Sequence, residues 1–314
     1  MEWNSRRGLY LLLCTVLLLL LPACGPVDAG DEAEDGQLNV VATTGQICDA
    51  VKNIGGDVID LECLFGPGVD PHLYVPTEGD VNTLSEAEVI YYNGLHLEAQ
   101  MVRVMDQMAT RGKTVVAVAE TLPPDQLLDW DATAPYDPHV WNDPMLWSQG
   151  VAAIRDTLVD ADPEHAERYR ENAEEYLAEI AETHEYVREL LEQIPEERRV
   201  MITAHDAFGY FARTYGLEVR GLQGISTESE ASTSDVQELA DLIVERQIPA
   251  IFVETTVSPR TIEAVQAAVE AQGYEVEIGG ELFSDALGSP DTPAGTYTGM
   301  LRHNAETVAE ALGE

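Results

Sequence analysis

The sequence predicts an α/β protein of two lobes, each a four-stranded parallel sheet covered by helices, with one long helix bridging them. Three observations carry this reading. Short apolar runs alternate with stretches of helical spacing through the N-terminal half, as strands do when crossover helices join them in parallel. The same alternation returns in the C-terminal half. Between the two lies one amphipathic stretch too long for a helix that merely covers a small sheet.

The first residues stand apart from the fold. Arg6 and Arg7 precede an apolar run over 9–21, followed by Leu21-Pro22-Ala23-Cys24. A basic start, an apolar run of about a dozen residues and small residues before a cleavage point form a secretory signal over 1–23. The run is shorter than the roughly 20 residues a membrane span needs. Its end resembles a bacterial lipoprotein box, which implies cleavage before Cys24 and lipid attachment to its thiol. Ser5-Arg6-Arg7 leaves the export route open between the general and twin-arginine pathways. Residues 24–36, rich in Gly and acids with almost nothing apolar, read as an acidic flexible tether.

The N-terminal lobe is expected over 37–160. LNVVAT (38–43), DVIDLECL (57–64), EVIYY (88–92) and TVVAVA (114–119) read as buried strands. Helical spacing fills 46–54, 77–87 and 97–110, with Thr77 as a helix cap, and a further helix is expected over 142–159. The linking segment is 161–196. From 163 to 194 apolar or small residues recur in steps of three and four, which places them on one helix face. Asp162 can cap this helix, Pro163 suits its first turn and Pro195 ends it. About 32 residues at 1.5 Å each would make a rod of roughly 48 Å. The C-terminal lobe, 197–314, repeats the theme with strands RVMIT (199–203), LEVRGL (217–222), PAIFVE (249–254) and EVEIG (275–279). Helices are expected over 206–214, 234–246, 258–272 and 293–312.

The net charge is −40, from 57 acidic against 17 basic residues, and the acids run through the whole chain. Such a surface excludes nucleic acid as a partner and repels itself at low salt. It reads as adaptation to a saline exterior. Of the four cysteines, Cys14 leaves with the signal and Cys24 is the proposed lipid site. Cys48 and Cys63 remain, either as two buried thiols or as a bridge. A bridge closing about 15 residues would stabilise by roughly 3 kcal/mol in the chain-entropy account.

Seven histidines are present. His165 and His184 fall on the long helix and His303 on the last one, where packed or solvated rings are the ordinary reading. His96, in YNGLHLE, follows the third strand and reads as a structural residue or a support standing behind a site. The other three are placed differently. His72 and His139 each sit in an Asp-Pro-His turn, GVDPHLY and YDPHVW, after the second and fourth strands. Proline fixes its own φ and pushes the preceding residue into extended backbone, so each histidine rides on a stiff turn. His205, in ITAHDAFGYF, directly follows the first strand of the second lobe. Asp285, in GGELFSDALG, follows the last strand, and Gly279-Gly280 permits a tight turn before it. All four lie where parallel sheets bind ligands, beyond the carboxyl ends of strands. Position alone leaves two readings: one cation site shared by both lobes, or separate turn and core residues. Three imidazoles and a carboxylate would suit zinc and its neighbours, manganese included.

The segments VVATTGQICDAVKNIGGD, GPGVDPHLYVPTEGDV, YYNGLHLE, DPHVWNDPMLW, TAHDAFGYFARTYG, GLQGISTESEAS, PAIFVE and GGELFSDALG resemble the cluster A-I (TroA-like) zinc/manganese-binding lipoproteins of ABC metal importers. The resemblance covers about 38–312 in order. It implies the two-lobe fold with its bridging helix, and metal ligation by His72, His139, His205 and Asp285. It implies Zn2+ or Mn2+ as the transported ligand and a permease as partner. It also implies a monomeric receptor, exported and lipid-anchored to the membrane, and no enzymatic activity. Two features depart from the family. The long His-rich loop that many zinc receptors carry before the second DPH is here TLPPDQLLDWDATAPY, without histidine. Manganese-dedicated members often have Glu at the position of His205, so the histidine makes zinc at least as favoured without excluding manganese.

Two rival functions are weighed against the receptor. A metal-dependent hydrolase on the same ligands would need an open coordination position and a general base. No HExxH occurs, and the nearest acids, Asp206 and Glu281, read as a helix cap and a loop-surface residue. A receptor for another solute, such as a siderophore, is disfavoured by the three-histidine, one-aspartate set.

Overall fold

The structure, a computed structural model, describes residues 36–130 and 134–313. The signal over 1–23, Cys24 and the tether up to residue 35 lie outside the described residues.

The first lobe is built as its alternation predicts. Strands β1 (Leu38–Ala42), β2 (Ile59–Cys63), β3 (Val89–Tyr92) and β4 (Thr114–Ala117) form one parallel sheet in the order β2-β1-β3-β4. Helices α1 (Gly45–Gly55), α2 (Glu78–Glu86) and α3 (Val102–Thr110) join the strands, and α4 (Pro144–Ala161) follows the second Asp-Pro-His turn. Local chemistry sets the boundaries. Thr77 and Asp80 exchange side-chain and backbone hydrogen bonds in a capping box that starts α2. Asp143 accepts from the backbone N–H groups of Met145 and Leu146 to start α4, with Pro144 in its first turn. Cys48 of α1 is disulfide-bonded to Cys63 at the end of β2, with Cα atoms 5.9 Å apart. The bond pins the first helix to the edge strand.

The long helix, α5, is shorter than its periodicity predicts. It runs Ala166–Leu191, 26 residues, or about 39 Å at 1.5 Å per residue. Pro163–His165 form a 3-10 turn before it. The carboxylate of Asp162, expected as the cap, instead takes the ring N of His165 at 2.7 Å and the Tyr169 hydroxyl at 2.6 Å. The buried face is the predicted one, carrying Tyr169, Ala173, Tyr176, Ile180, Val187 and Leu191. It packs on α1 and α4 of the first lobe and on the final helix, so the bridge is supported along its length.

The second lobe comprises β5 (Val200–His205), α6 (Gly209–Tyr215), β6 (Glu218–Gln223), α7 (Thr233–Arg246), β7 (Ala250–Glu254), α8 (Arg260–Ala271), β8 (Glu277–Leu282) and α9 (Tyr297–Gly313). The expected four-stranded sheet is present as two parallel pairs, β5-β6 and β7-β8, with β5 alongside β7. At the inner end of that seam the backbone N–H of His205 donates to the Glu254 carboxylate at 2.9 Å. A side chain thus takes a donor that a continuous ladder would have used.

The expected turn at Gly279-Gly280 is not a turn. Both residues lie within β8. Pairing passes from Ile251 with Ile278 to Phe252 with Gly280, leaving Gly279 as the extra residue of a bulge. A Cβ on Gly279 would fall 2.6 Å from the Ala311 Cβ, and one on Gly280, at φ 143°, would fall 2.5 Å from the Thr307 Cγ2. The glycines let α9 cross close over the strand.

One apolar core runs through both lobes, from Val40 and Val89 through Trp147, Ile154 and Ile180 to Phe208, Phe252 and Met300. Two smaller cores fill the outer side of each lobe, around Ile90, Met101 and Met105, and around Ile202, Ile243 and Val265.

Candidate metal centre

The four predicted ligands meet between the lobes. Nε2 of His72 lies 3.3 Å from Nε2 of His139 and 3.8 Å from Oδ2 of Asp285. Nε2 of His139 is 3.4 Å from Oδ1 of Asp285, and Nε2 of His205 is 3.2 Å from Oδ2. All four donor atoms fall within 4.8 Å of one another, and all four residues are buried. A tetrahedral ion with arms of about 2.0–2.1 Å has ligand-to-ligand edges of about 3.3–3.4 Å. The cluster therefore fits a zinc-sized ion. Nε2 of His205 and both carboxylate oxygens of Asp285 are buried and have no hydrogen-bond partner outside the cluster, so either imidazole protons or a cation must balance the carboxylate.

Each ligand is held from behind, and the aspartate of each Asp-Pro-His turn does the holding. Oδ1 of Asp70 accepts the backbone N–H of His72 at 2.9 Å, and its Oδ2 accepts the hydroxyl of Thr227 from the second lobe at 2.6 Å. Oδ1 of Asp137 accepts both the backbone N–H of His139, at 2.9 Å, and its Nδ1–H, at 2.7 Å. An aspartate bonding the backbone two residues ahead is an Asx turn, and the intervening proline stiffens it. The motif thus does the same work twice: Asp positions the histidine, Pro stiffens the turn, and the ring is presented to the cluster.

His205 is the last residue of β5, and its carboxylate is on the neighbouring strand. Glu254, the last residue of β7, accepts the His205 backbone N–H at 2.9 Å through Oε1 and Nδ1–H at 2.6 Å through Oε2. With Nδ1 donating, Nε2 is left to face the other ligands. Gly221 of β6 allows this placement, because a Cβ there would lie 2.5 Å from the backbone N of Asp206 and 2.6 Å from the carbonyl carbon of His205. Asp285 is fixed through its neighbours. Asn304 of α9 bonds both the N–H and the carbonyl of Phe283, at 2.9 and 2.7 Å, and the Trp141 indole N–H donates to the Ser284 carbonyl at 3.0 Å.

The charges follow from these partners. Burial drives the His72 imidazole down to about 3, so it carries no proton. Burial also disfavours charge on His139, but Asp137 and Asp285 outweigh it and hold the ring at about 9. His205 is likewise opposed by burial and is raised well above the ordinary imidazole range by Glu254 and Asp285. Asp285, though buried, is pulled well below the ordinary carboxylate range by His205 and His139.

His96, read as a structural residue or as a support behind the site, makes no hydrogen bond to any of the four. It is exposed on a run of left-handed backbone, Gly94, Leu95 and His96 at φ 81°, 50° and 72°. There it lines a cavity of about 380 Å3 with Glu120 and Tyr136, edge-on to Trp130. The support from this segment comes from its neighbours. The buried Glu98 carboxylate accepts from Thr43 and from the backbone of Asn93 and Gly94, and Asn93 Nδ2 donates to the Pro138 carbonyl at 3.0 Å. Asp206, read as a helix cap, is not one, since α6 begins only at Gly209; Glu281 lies in β8 rather than in a loop. Glu254, Thr227 and Asn304 were not foreseen as site residues. Glu254 had a signal: PAIFVE ends a strand on a carboxylate, level with the strand-ending His205.

Comparison with known proteins assigns the chain to a family. Residues 40–311 match the family described as zinc-uptake complex component A, periplasmic (ZnuA). The chain is 50% identical over 283 residues to the zinc-binding protein TroA of Treponema pallidum, covering 90% of this chain and 91% of that protein. It is 46% identical over 292 residues to the manganese-binding lipoprotein MntA of Bacillus subtilis, covering 93% and 95%. The solved structure of the periplasmic zinc-binding protein TroA from T. pallidum superposes with a TM-score of 0.87 at 48% identity, covering 89% of this chain and all of that one. On this evidence the chain belongs to the ZnuA family of periplasmic zinc-uptake components.

Proposed function

We propose that His72, His139, His205 and Asp285 together bind one divalent transition metal, and that the protein captures this ion outside the cytoplasmic membrane and passes it to an ABC permease. The observation that carries the reading is one buried cluster in which the Asp285 carboxylate faces Nε2 of His205, His139 and His72 at 3.2, 3.4 and 3.8 Å, with no hydrogen-bond partner for Asp285 outside the cluster. Zinc and manganese are the ions named for the relatives. Three nitrogens and one carboxylate favour zinc in raw affinity, because manganese stands lowest in the Irving–Williams order.

The same donor set speaks against catalysis. Four protein ligands fill a tetrahedral ion and leave no position for an activated water. The division into lobes at 37–160 and 197–314, with 161–196 linking them, supports capture between two bodies. Among the described residues no helix is long and apolar enough to cross a membrane. Attachment by lipid at Cys24, after removal of 1–23, is the reading the Leu-Pro-Ala-Cys sequence supports, and the receptor acts as a monomer on that anchor.

Metal analysis tests the site. Protein purified without chelator is expected to carry one equivalent of metal, and Asp285→Ala, which removes the only anionic ligand, is expected to carry almost none. Full metal content in Asp285→Ala would refute the four-residue site.

A further inference from the structure

We propose that Asp49 is a positioning residue for metal retention, through a chain of hydrogen bonds that ties the bridging helix to the loops carrying His139 and Asp285. The inference rests on the four-residue site proposed above. Oδ2 of Asp49, on α1, accepts two hydrogen bonds: the Tyr176 hydroxyl of α5 at 2.8 Å and the backbone N–H of Tyr297, the first residue of α9, at 3.1 Å. Three helices that fix how the lobes meet therefore share one oxygen. The chain then continues. The Tyr297 hydroxyl donates to the Trp141 carbonyl at 2.7 Å, and the Trp141 indole N–H donates to the Ser284 carbonyl at 3.0 Å. Trp141 lies two residues after His139 and packs edge-on to its ring, with centroids 5.3 Å apart; Ser284 immediately precedes Asp285.

Every member is buried: Asp49 is 9% exposed, Tyr176 3%, and Tyr297 and Trp141 0%. A buried polar group does not trade its partner for water, so each link holds its neighbour to one geometry. Asp49 is itself anchored, because the adjacent Cys48 is bonded to Cys63 of β2. The links act in series. Breaking any link before Trp141 removes this tie between the bridging helix and the loops of two of the four ligands, and breaking the last one releases the Asp285 loop alone.

The test is stopped-flow release of bound zinc from the full chain to a chromophoric chelator. Loss of one such bond is expected to accelerate release about tenfold in Tyr176→Phe and in Tyr297→Phe. Because the links are in series, the double variant is expected to release within about threefold of Tyr297→Phe, not at the roughly hundredfold product of independent effects. Asp49→Asn, whose amide oxygen can occupy the Oδ2 position and accept both bonds, is expected within about threefold of the parent. Asp49→Leu is expected to release fast; should it fail to fold, the tyrosine variants carry the test. A lowered melting temperature with unchanged release in Tyr297→Phe, or rates that multiply in the double variant, would overturn the proposal. Parent protein that binds no zinc would instead strike the four-residue site itself.

Discussion

Replacing Glu254 with Gln probes the metal centre without touching a ligand. The Glu254 carboxylate receives two hydrogen bonds from one residue, at 2.9 Å from the His205 backbone N–H and at 2.6 Å from Nδ1–H. A glutamine keeps one oxygen and presents an NH2 to the second donor, so one bond becomes an opposed pair. The lost bond is charge-assisted and buried, worth about 1.5–3 kcal/mol. The neutral side chain also no longer strengthens His205 as a donor to the metal. Partners behind a ligating histidine typically set about 10–100-fold in metal affinity, which corresponds to about 1.4–2.8 kcal/mol, and the two figures agree. Competition titration against a chelator of known zinc affinity, at fixed pH and salt, is the assay. Glu254→Gln with zinc affinity within about threefold of the parent would refute the idea that β7 orients the β5 ligand.

Metal affinity should climb with pH. His139, held at about 9, and His205, raised well above the ordinary range, carry protons in the metal-free protein at neutral pH, whereas His72, at about 3, does not. Both protons must leave for metal to bind, so affinity should rise about a hundredfold per pH unit between pH 6 and 8; calorimetry in buffers of different ionisation enthalpy counts the protons, and a count near zero would contradict the assignment. His205→Glu exchanges a nitrogen for a carboxylate and should lower the ratio of zinc to manganese affinity, while His96→Ala should leave both affinities nearly unchanged; an unmoved ratio, or loss of binding in His96→Ala, would count against the four-ligand set. A net charge of −40 should make the unfolding midpoint rise steeply as KCl is added, and a midpoint flat into molar salt would remove the case for saline adaptation.

Periodicity and strand-end placement make much of this fold legible in the sequence. Thr77 capped α2 as its position implied, and the buried face of α5 is the face its three- and four-residue steps selected. The four clustered residues are legible because two sit on proline-stiffened turns and two follow strand ends, a placement that the family resemblance joins into one proposed site. What stayed hidden depends on contacts between residues far apart in sequence. Gly279 and Gly280 look like a turn until α9 is laid across them. Glu254 looks like a strand end until β5 lies beside β7, and the two-pair form of that sheet follows from the same contact. His96 stays open between a structural residue and a support in the sequence, because nothing local announces three successive left-handed residues, two of them not glycine.

The carboxylates behind His139 and His205 have one more consequence. They hold His139 at about 9 and raise His205 well above the ordinary imidazole range, so a divalent ion entering at neutral pH is expected to displace two protons. Loading would then leave the total charge of the molecule where it was. Filled and empty receptors would present the same long-range field, and neither migration in an electric field nor attraction to a charged membrane partner would distinguish them. A permease that must accept the filled form and refuse the empty one has to recognise shape at close contact.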